Sequence, residues 1–255
     1  MPVLWLTGFF TVLVCFSITS ITLWQLRQTR THELEIADTN VANLSRSMAQ
    51  QADDAFDQAD IPVAGIVERL SYDGFGAATS SRMHEYLRAI AASVEQIQGL
   101  FIYDKDGNWA ATSLNHTPAN PNNADREYFQ FHKAIDSTLP HIGRAIRSRS
   151  TGDWIIPLSR RVNDSAGNFA GVVLATIELA YFDRFFDRFD IGQRGVITLA
   201  MADGTVLARR PALDNVRGAS IADGELFRVY LKEHYEGTAT VRSILDHELR
   251  IYGYK

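Results

Sequence analysis

Arg126, Tyr128 and Phe129 fall within four consecutive positions, and Trp154 follows on a later apolar run. An arginine beside aromatic rings can hold a carboxylate through a bidentate, charge-assisted pair while the rings wall a pocket. The same spacing also fits three core aromatics and a surface cation, and the residues alone leave both readings open. Catalytic chemistry has no counterpart here. The seven histidines (His32, His84, His116, His132, His141, His234 and His247) form no H-E-x-x-H or similar metal spacing. No G-x-S-x-G elbow, P-loop or G-x-G-x-x-G is present. Asp53, Asp54, Asp57 and Asp60 read as the solvated face of a helix. No catalytic residue, no metal ligand and no cofactor is expected in this chain.

The elements that must position Arg126 and Trp154 are legible around them. Asp125 can cap a short helix, REYFQFH, after a polar loop at 115–123 that holds Pro118 and Pro121. Residues 141–149 read as a strand. Residues 148–179, SRSTGDWIIPLSRRVNDSAGNFAGVVLATIEL, read as a long apolar hairpin in the middle of a sheet, with turn chemistry at NDSAGN. Upstream, Ser80 or Ser81 caps a helix running to about Ile97, and GLFIYDKDGNWAA (99–111) makes a hairpin around Asp106-Gly107. A second such hairpin, VITLAMADGTVLA (196–208), turns on Asp203-Gly204, so the chain holds a weak internal repeat and two similar subdomains in tandem. YFDRFFDRF (181–189) is an amphipathic helix that could link them, and 238–244 and 250–254 read as strands of the second unit. The chain stops in what reads as mid-strand, so a fragment of a longer protein is expected.

The N-terminal part differs in kind. Residues 2–24 carry no charge, and a helix of that length spans the roughly 30 Å hydrocarbon core. Trp5 and Trp24 lie near its ends, where indoles favour the membrane interface. Residues 25–60 read as one long helix, with Leu34, Val41 and Met48 seven apart and Leu44 on the same stripe. Pro62 should kink or restart it, with Val63, Ile66, Val67 and Leu70 continuing an apolar face. A stripe that begins where no sheet can cover it points to a homodimer seam. Arg27 and Arg30 after the span favour a cytoplasmic placement of the rest by the positive-inside rule. The net charge of −5 argues against a nucleic-acid partner. Cys15 is the one cysteine, so no disulfide framework or cysteine metal site forms within the chain.

The order of parts resembles a bacterial double Cache (dCache) sensor domain: apolar span, long helix, FIYDKDGNWAAT, DREYFQFH, RSRSTGDWIIPLSRRVNDSAGNFAGVVLATIEL, GVITLAMADGTVLARR. The resemblance implies an α/β (α+β) fold: a transmembrane helix (1–25), a stalk helix (26–70), a membrane-distal PAS-like subdomain (71–190) and a membrane-proximal one (191–255, truncated). It implies a small-ligand sensor region held outside the bacterial inner membrane, against the mild pull of Arg27 and Arg30. RSRSTGDW and IPLSRRVND most resemble sensor regions that precede GGDEF diguanylate cyclases, with histidine kinases and chemoreceptors as alternatives. A membrane-anchored interaction module without a small ligand is the reading from a different class. By position, Arg126 matches the arginine that grips a ligand carboxylate, and Tyr128 and Phe129 match neighbouring aromatics. Thr176 matches the acidic residue that receives the amine in amino-acid-binding relatives. Thr176 is neutral, so the resemblance implies a carboxylate or another small anion rather than an α-amino acid. Trp154 and Thr176 complete the expected ligand-binding set.

Overall fold

The computed structural model describes residues 2–79, 81–115, 122–213 and 215–255, with only the backbone described for 2–8, 11, 12, 77 and 79. The proposed cap Ser80 and most of the polar loop at 115–123 lie outside the described residues. The chain divides into two compact units, one made of Gln50–Asp223, the other of Met1–Ala49 and Gly224–Lys255.

A single helix, α1 (Pro2–Asp73), runs through the N-terminal third and continues past Pro62 without a break. Within the larger unit it buries Ala52, Ala55, Ala59, Val63, Ile66 and Leu70, a stripe at three- and four-residue spacing. Within that stripe the Ala55 carbonyl accepts the side-chain amide of Gln96 at 2.9 Å, and the adjacent Phe56 packs on Phe182 of a later helix. Leu34, at the start of the expected stripe and outside the larger unit, is 46% exposed. The transmembrane helix expected at 1–25 is corrected: among the described residues no helix is long and apolar enough to cross a membrane. Of the expected span, side chains are described only at 9, 10 and from 13 onward. The rest of the expected span falls partly on residue 1 and on side chains outside the described residues.

The larger unit is built on one antiparallel sheet, in the order β2-β1-β6-β5-β3, with β4 also on β5. The strands are β1 (Ile97–Asp104), β2 (Trp109–Thr112), β3 (His141–Ile142), β4 (Ile146–Arg147), β5 (Trp154–Asn163) and β6 (Phe169–Glu178). The β5–β6 hairpin is central, as its apolar run predicts. Asp164 closes its turn by accepting the amides of Ala166 and Asn168 at 2.9 and 2.8 Å, and Gly167 takes φ 86°. The strand expected at 141–149 is instead two short ones. Its break falls at Gly143, which packs on Pro157, where a Cβ would come within 2.8 Å of the proline ring. Pro157 has no N–H to continue the ladder there.

The two faces of this sheet have different covers. Pairing aligns Phe101 with Leu174 and Ser159, Tyr103 with Val172 and Arg161, and Gly99 with Thr176 and Pro157. Helix α3 (Glu127–Ala134) packs on this face, and Phe101, Tyr103, Tyr128, Phe129, Val172 and Leu174 form its core. Strand alternation turns Ile156, Leu158 and Arg160 to the other face. There Arg160 holds Asp60 of α1 through two bonds of 2.6 Å. Two further helices belong to this unit, α2 (Ser81–Ser93) and α4 (Leu179–Phe186). The amphipathic run YFDRFFDRF begins its helix two residues earlier than expected, and α4 buries Leu179, Phe182 and Phe186.

The Asp-Gly hairpin recurs in β7 (Ile197–Ala200) and β8 (Val206–Arg210), and the likeness extends beyond the turn. Both hairpins slip register at the corresponding place, Ile102/Tyr103 and Leu199/Ala200. Gly107 and Gly204 each take φ 83°. Each glycine carbonyl accepts one amide at 2.8 Å, from Asn123 and Ile221 respectively. The segments that follow read ADREYF and ADGELF. The smaller unit holds the first part of α1, a π-helical turn (Leu226–Tyr230), the short α5 (Leu231–Glu233) and a two-stranded sheet. Its strands are β9 (Gly237–Arg242) and β10 (Leu249–Tyr254). Ala239, Val241 and Tyr254 are its core.

Candidate ligand-binding site

The segment that leads into α3 is fixed by its own polar side chains. Asn122 donates to the Asp106 carbonyl and to Asn108 Oδ1, at 3.0 and 2.8 Å. Asn123 donates to the hydroxyls of Tyr128 and Tyr103, at 2.6 and 3.2 Å, and accepts the indole N–H of Trp109. Burial raises the pKa of both tyrosines, so their hydroxyls stay protonated. Asp125 and Arg149 form a bidentate pair at 2.8 and 2.5 Å, and the Arg149 guanidinium holds the Asp125 carboxyl below its ordinary range.

This frame presents Arg126, the residue that precedes the first turn of α3. Its guanidinium donates to the carbonyl of Arg147 at 3.2 Å. Arg147 donates to the Gly152 carbonyl at 2.9 Å and stacks over Trp154, 4.8 Å from the ring centre. Arg144 and Arg149 are each paired with an aspartate. Arg126 and Arg147 have no carboxylate partner among the described residues.

Tyr128 and Phe129 are buried side by side in the core under α3. Thr176 is also buried, and its hydroxyl donates to the Gly99 carbonyl at 3.2 Å. Gly99, Thr176 and Pro157 form a row of small side chains across three strands, on the face that carries α3. Beside it, Ile146 and Leu114 pack against the α3 core. Alternation along β5 puts Trp154 with Ile156 and Leu158, on the opposite side from Pro157 and Thr176. Arg126 thus precedes the helix that packs on the sheet face carrying the Thr176 row. Trp154 is linked to Arg126 through Arg147. Asn123, Tyr103 and Arg147 were not singled out by sequence. RSR at 147–149 was a usable signal for Arg147, because it places two cations beside the aromatic strand.

The hairpin repeat separates structural need from function at Arg126. In the second copy the residue that matches Arg126 is Gly224, and the turn closes the same way. Arg126 O accepts the amides of Phe129 and Gln130 at 3.1 and 3.0 Å, and Gly224 O accepts those of Phe227 and Arg228 at the same distances. The turn does not require an arginine. Among the described residues no group of three or more His, Cys, Asp or Glu side chains could hold a metal ion.

The Cache domain family dCache_1 matches residues 23–254, nearly the whole chain. The chain belongs to the Cache domain family. It is thus a sensor domain and not a catalytic one. The extracellular domain of rpHK1S-Z16, assigned as a histidine kinase, is 34% identical with a TM-score of 0.80, covering 86% of this chain and 89% of that one. The ligand-binding domain of the Pseudomonas aeruginosa PAO1 amino acid chemoreceptor PctC, solved with GABA, has a TM-score of 0.61 at 13% identity, over 81% and 89% of the two chains. The periplasmic sensory domain of the Campylobacter jejuni chemoreceptor Tlp1 has a TM-score of 0.61 at 12% identity, over 86% and 89%. The last two likenesses are of fold. Among curated proteins no relative matches.

Proposed function

We propose that this Cache domain senses a small anion, a carboxylate in the first place, at Arg126. Tyr128 and Phe129 form the packed wall behind the arginine, Thr176 the neutral floor, and Trp154 with Arg147 the neighbouring rim. One observation carries the reading: Arg126 is a cation without a carboxylate partner among the described residues, at a turn that its second copy builds with Gly224. The hydroxyl of Thr176 is spent on a backbone carbonyl, and no carboxylate stands at that position to receive an ammonium group. That supports a carboxylate or other small anion over an α-amino acid.

The domain works outside the bacterial inner membrane, as the sensor of a membrane-bound homodimer. Phe9, Phe10, Phe16, Ile18 and Trp24 all expose more than half their surface, which supports a membrane-facing end of α1. Ligand binding biases two arrangements of the dimer, and α1 passes that bias on. Two outputs are in play. The wording of RSRSTGDW and IPLSRRVND favours a diguanylate cyclase. The 34% identity to rpHK1S-Z16 favours a histidine kinase. A G-G-D-E-F motif or a phosphoacceptor-histidine helix encoded after codon 255 decides between them.

Thermal-shift screening of the chain against organic acids, amines and amino acids tests the site. Carboxylates are expected to raise the melting temperature, and Arg126→Ala to weaken the best of them by about tenfold or more. A hit whose shift survives Arg126→Ala, or a screen with no hit, removes the assignment in favour of an interaction module.

A further inference from the structure

On the sheet face away from α3, the end of α2 meets α1 and α4 at an open cleft of about 470 Å³. Ile61, Pro62, Ile90 and Val94 give it apolar walls. Its polar rim carries Gln58, Ser93, Glu95, Gln96 and Tyr181. Pro62 has no N–H to offer the carbonyl of Gln58, so that carbonyl lacks its helical donor. At the end of α2 the Ile90 carbonyl accepts the Ser93 hydroxyl at 2.8 Å and the Val94 carbonyl accepts the Ile97 amide at 3.0 Å, and the final turn carries no basic residue to balance the negative end of the helix. Glu95 is exposed at the rim and makes no ion pair among the described residues. Tyr181 lies opposite; burial, and then the Glu95 charge, raise its pKa and keep its hydroxyl neutral. The amide of buried Gln96 is turned inward, donating to the Ala55 carbonyl at 2.9 Å. Arg184 and Arg188 act on Tyr181 more weakly than Glu95 does, and Arg184 is held by Glu178 at 3.4 Å.

A compact group with several N–H donors, no acceptor and a positive charge is what this rim lacks, and an ammonium group has those properties. We propose that the cleft is a second binding site, for a small organic ammonium ion, a primary amine carried on a short aliphatic body. The walls take the aliphatic part, and Glu95, the Gln58 carbonyl and the end of α2 take the ammonium. The site shares no residue with the Arg126 site.

Titration calorimetry of the full chain with n-butylammonium chloride tests the proposal, with tetramethylammonium as a probe of equal charge and no N–H. Saturable binding of n-butylammonium is expected, with tetramethylammonium at least about tenfold weaker. Glu95→Gln is expected to weaken n-butylammonium by about tenfold or more. It should leave any carboxylate-induced melting shift in place, which keeps failure here distinct from failure of the anion site. Ile61→Arg, at a side chain 71% exposed, lodges the protein's own cation at the cleft and should abolish amine binding without loss of fold. Absence of saturable n-butylammonium binding, or full affinity in Glu95→Gln or Ile61→Arg, overturns the proposal.

Discussion

The two Asp-Gly hairpins are the same device with different contents. They share the register slip, the φ of 83° at the turn glycine and the amide accepted by that glycine's carbonyl. They also share a close approach: a Cβ on Gly107 would lie 2.5 Å from the amide nitrogen of Ala124, and one on Gly204 2.6 Å from that of Ala222. The contents then diverge. Arg126 faces Gly224, Tyr128 faces Leu226, and His132 faces Tyr230. The first hairpin joins a six-stranded sheet, while the second stays a two-stranded one. What is common is therefore scaffold, and what differs marks the copy that has been given a site.

The largest expected effect falls on the shared part. Gly107→Ala puts a side chain into the left-handed region and against a backbone nitrogen, and should destabilise the fold by about 2–4 kcal/mol. Gly204→Ala meets the same geometry and should cost a similar amount. Chemical denaturation of the two variants checks this. A tolerated Gly204→Ala beside a damaging Gly107→Ala would mean that the second hairpin is not held as tightly as the first.

The next effect belongs to the first copy alone. His132 is buried against Ser159, and burial lowers its pKa from 6.5 to about 4. The Ser159 hydroxyl donates to the His141 carbonyl at 3.3 Å, so His132 Nε2 carries the hydrogen it shares with Ser159 Oγ at 3.0 Å. His132 Nδ1 is left bare, buried and without a partner among the described residues. The folded pKa lies below the unfolded one, so the unfolded chain takes the proton first as pH falls. Stability is complete above pH 6.5 and falls by about 3 kcal/mol toward pH 4, below which this group adds no further loss. Denaturation midpoints measured across that window test this. His132→Leu should flatten that segment of the profile, and an unchanged slope in the variant would assign the acid sensitivity elsewhere.

Much of the sheet was legible because its strands carry long apolar runs bounded by turn residues with local chemistry, as in NDSAGN. The helix stripe was harder. Alanines at 52, 55 and 59 carry little hydrophobic signal, yet they are buried within the larger unit, while the stronger-looking Leu34 is 46% exposed. The break at Gly143 could not be read locally either, since its cause, Pro157, lies on another strand. At the site, residue types were readable and partnership was not. Thr176 gave no sign that its hydroxyl would be spent on Gly99, and Trp154 none that alternation would set it opposite Thr176. Arg126 gained weight only when the second copy closed the same turn with glycine.

Tyr128 offers the smallest and most discriminating effect, because it decides between wall and core. Its hydroxyl accepts from Asn123 at 2.6 Å, and Asn123 also reaches Tyr103 at 3.2 Å. Leu226 in the second copy has no hydroxyl to build such a knot. Tyr128→Phe keeps the ring in its packing and removes one acceptor, so a loss of about 1 kcal/mol in stability is expected. Asn123→Ala removes the shared donor, and a double-mutant cycle with Tyr128→Phe should show non-additivity, because both variants break the same bond. Additive losses would mean that the hydroxyl acts independently of Asn123. A drop in ligand affinity with stability intact would mean that it is turned toward the ligand, making Tyr128 a contact of the bound anion rather than the packed support behind Arg126.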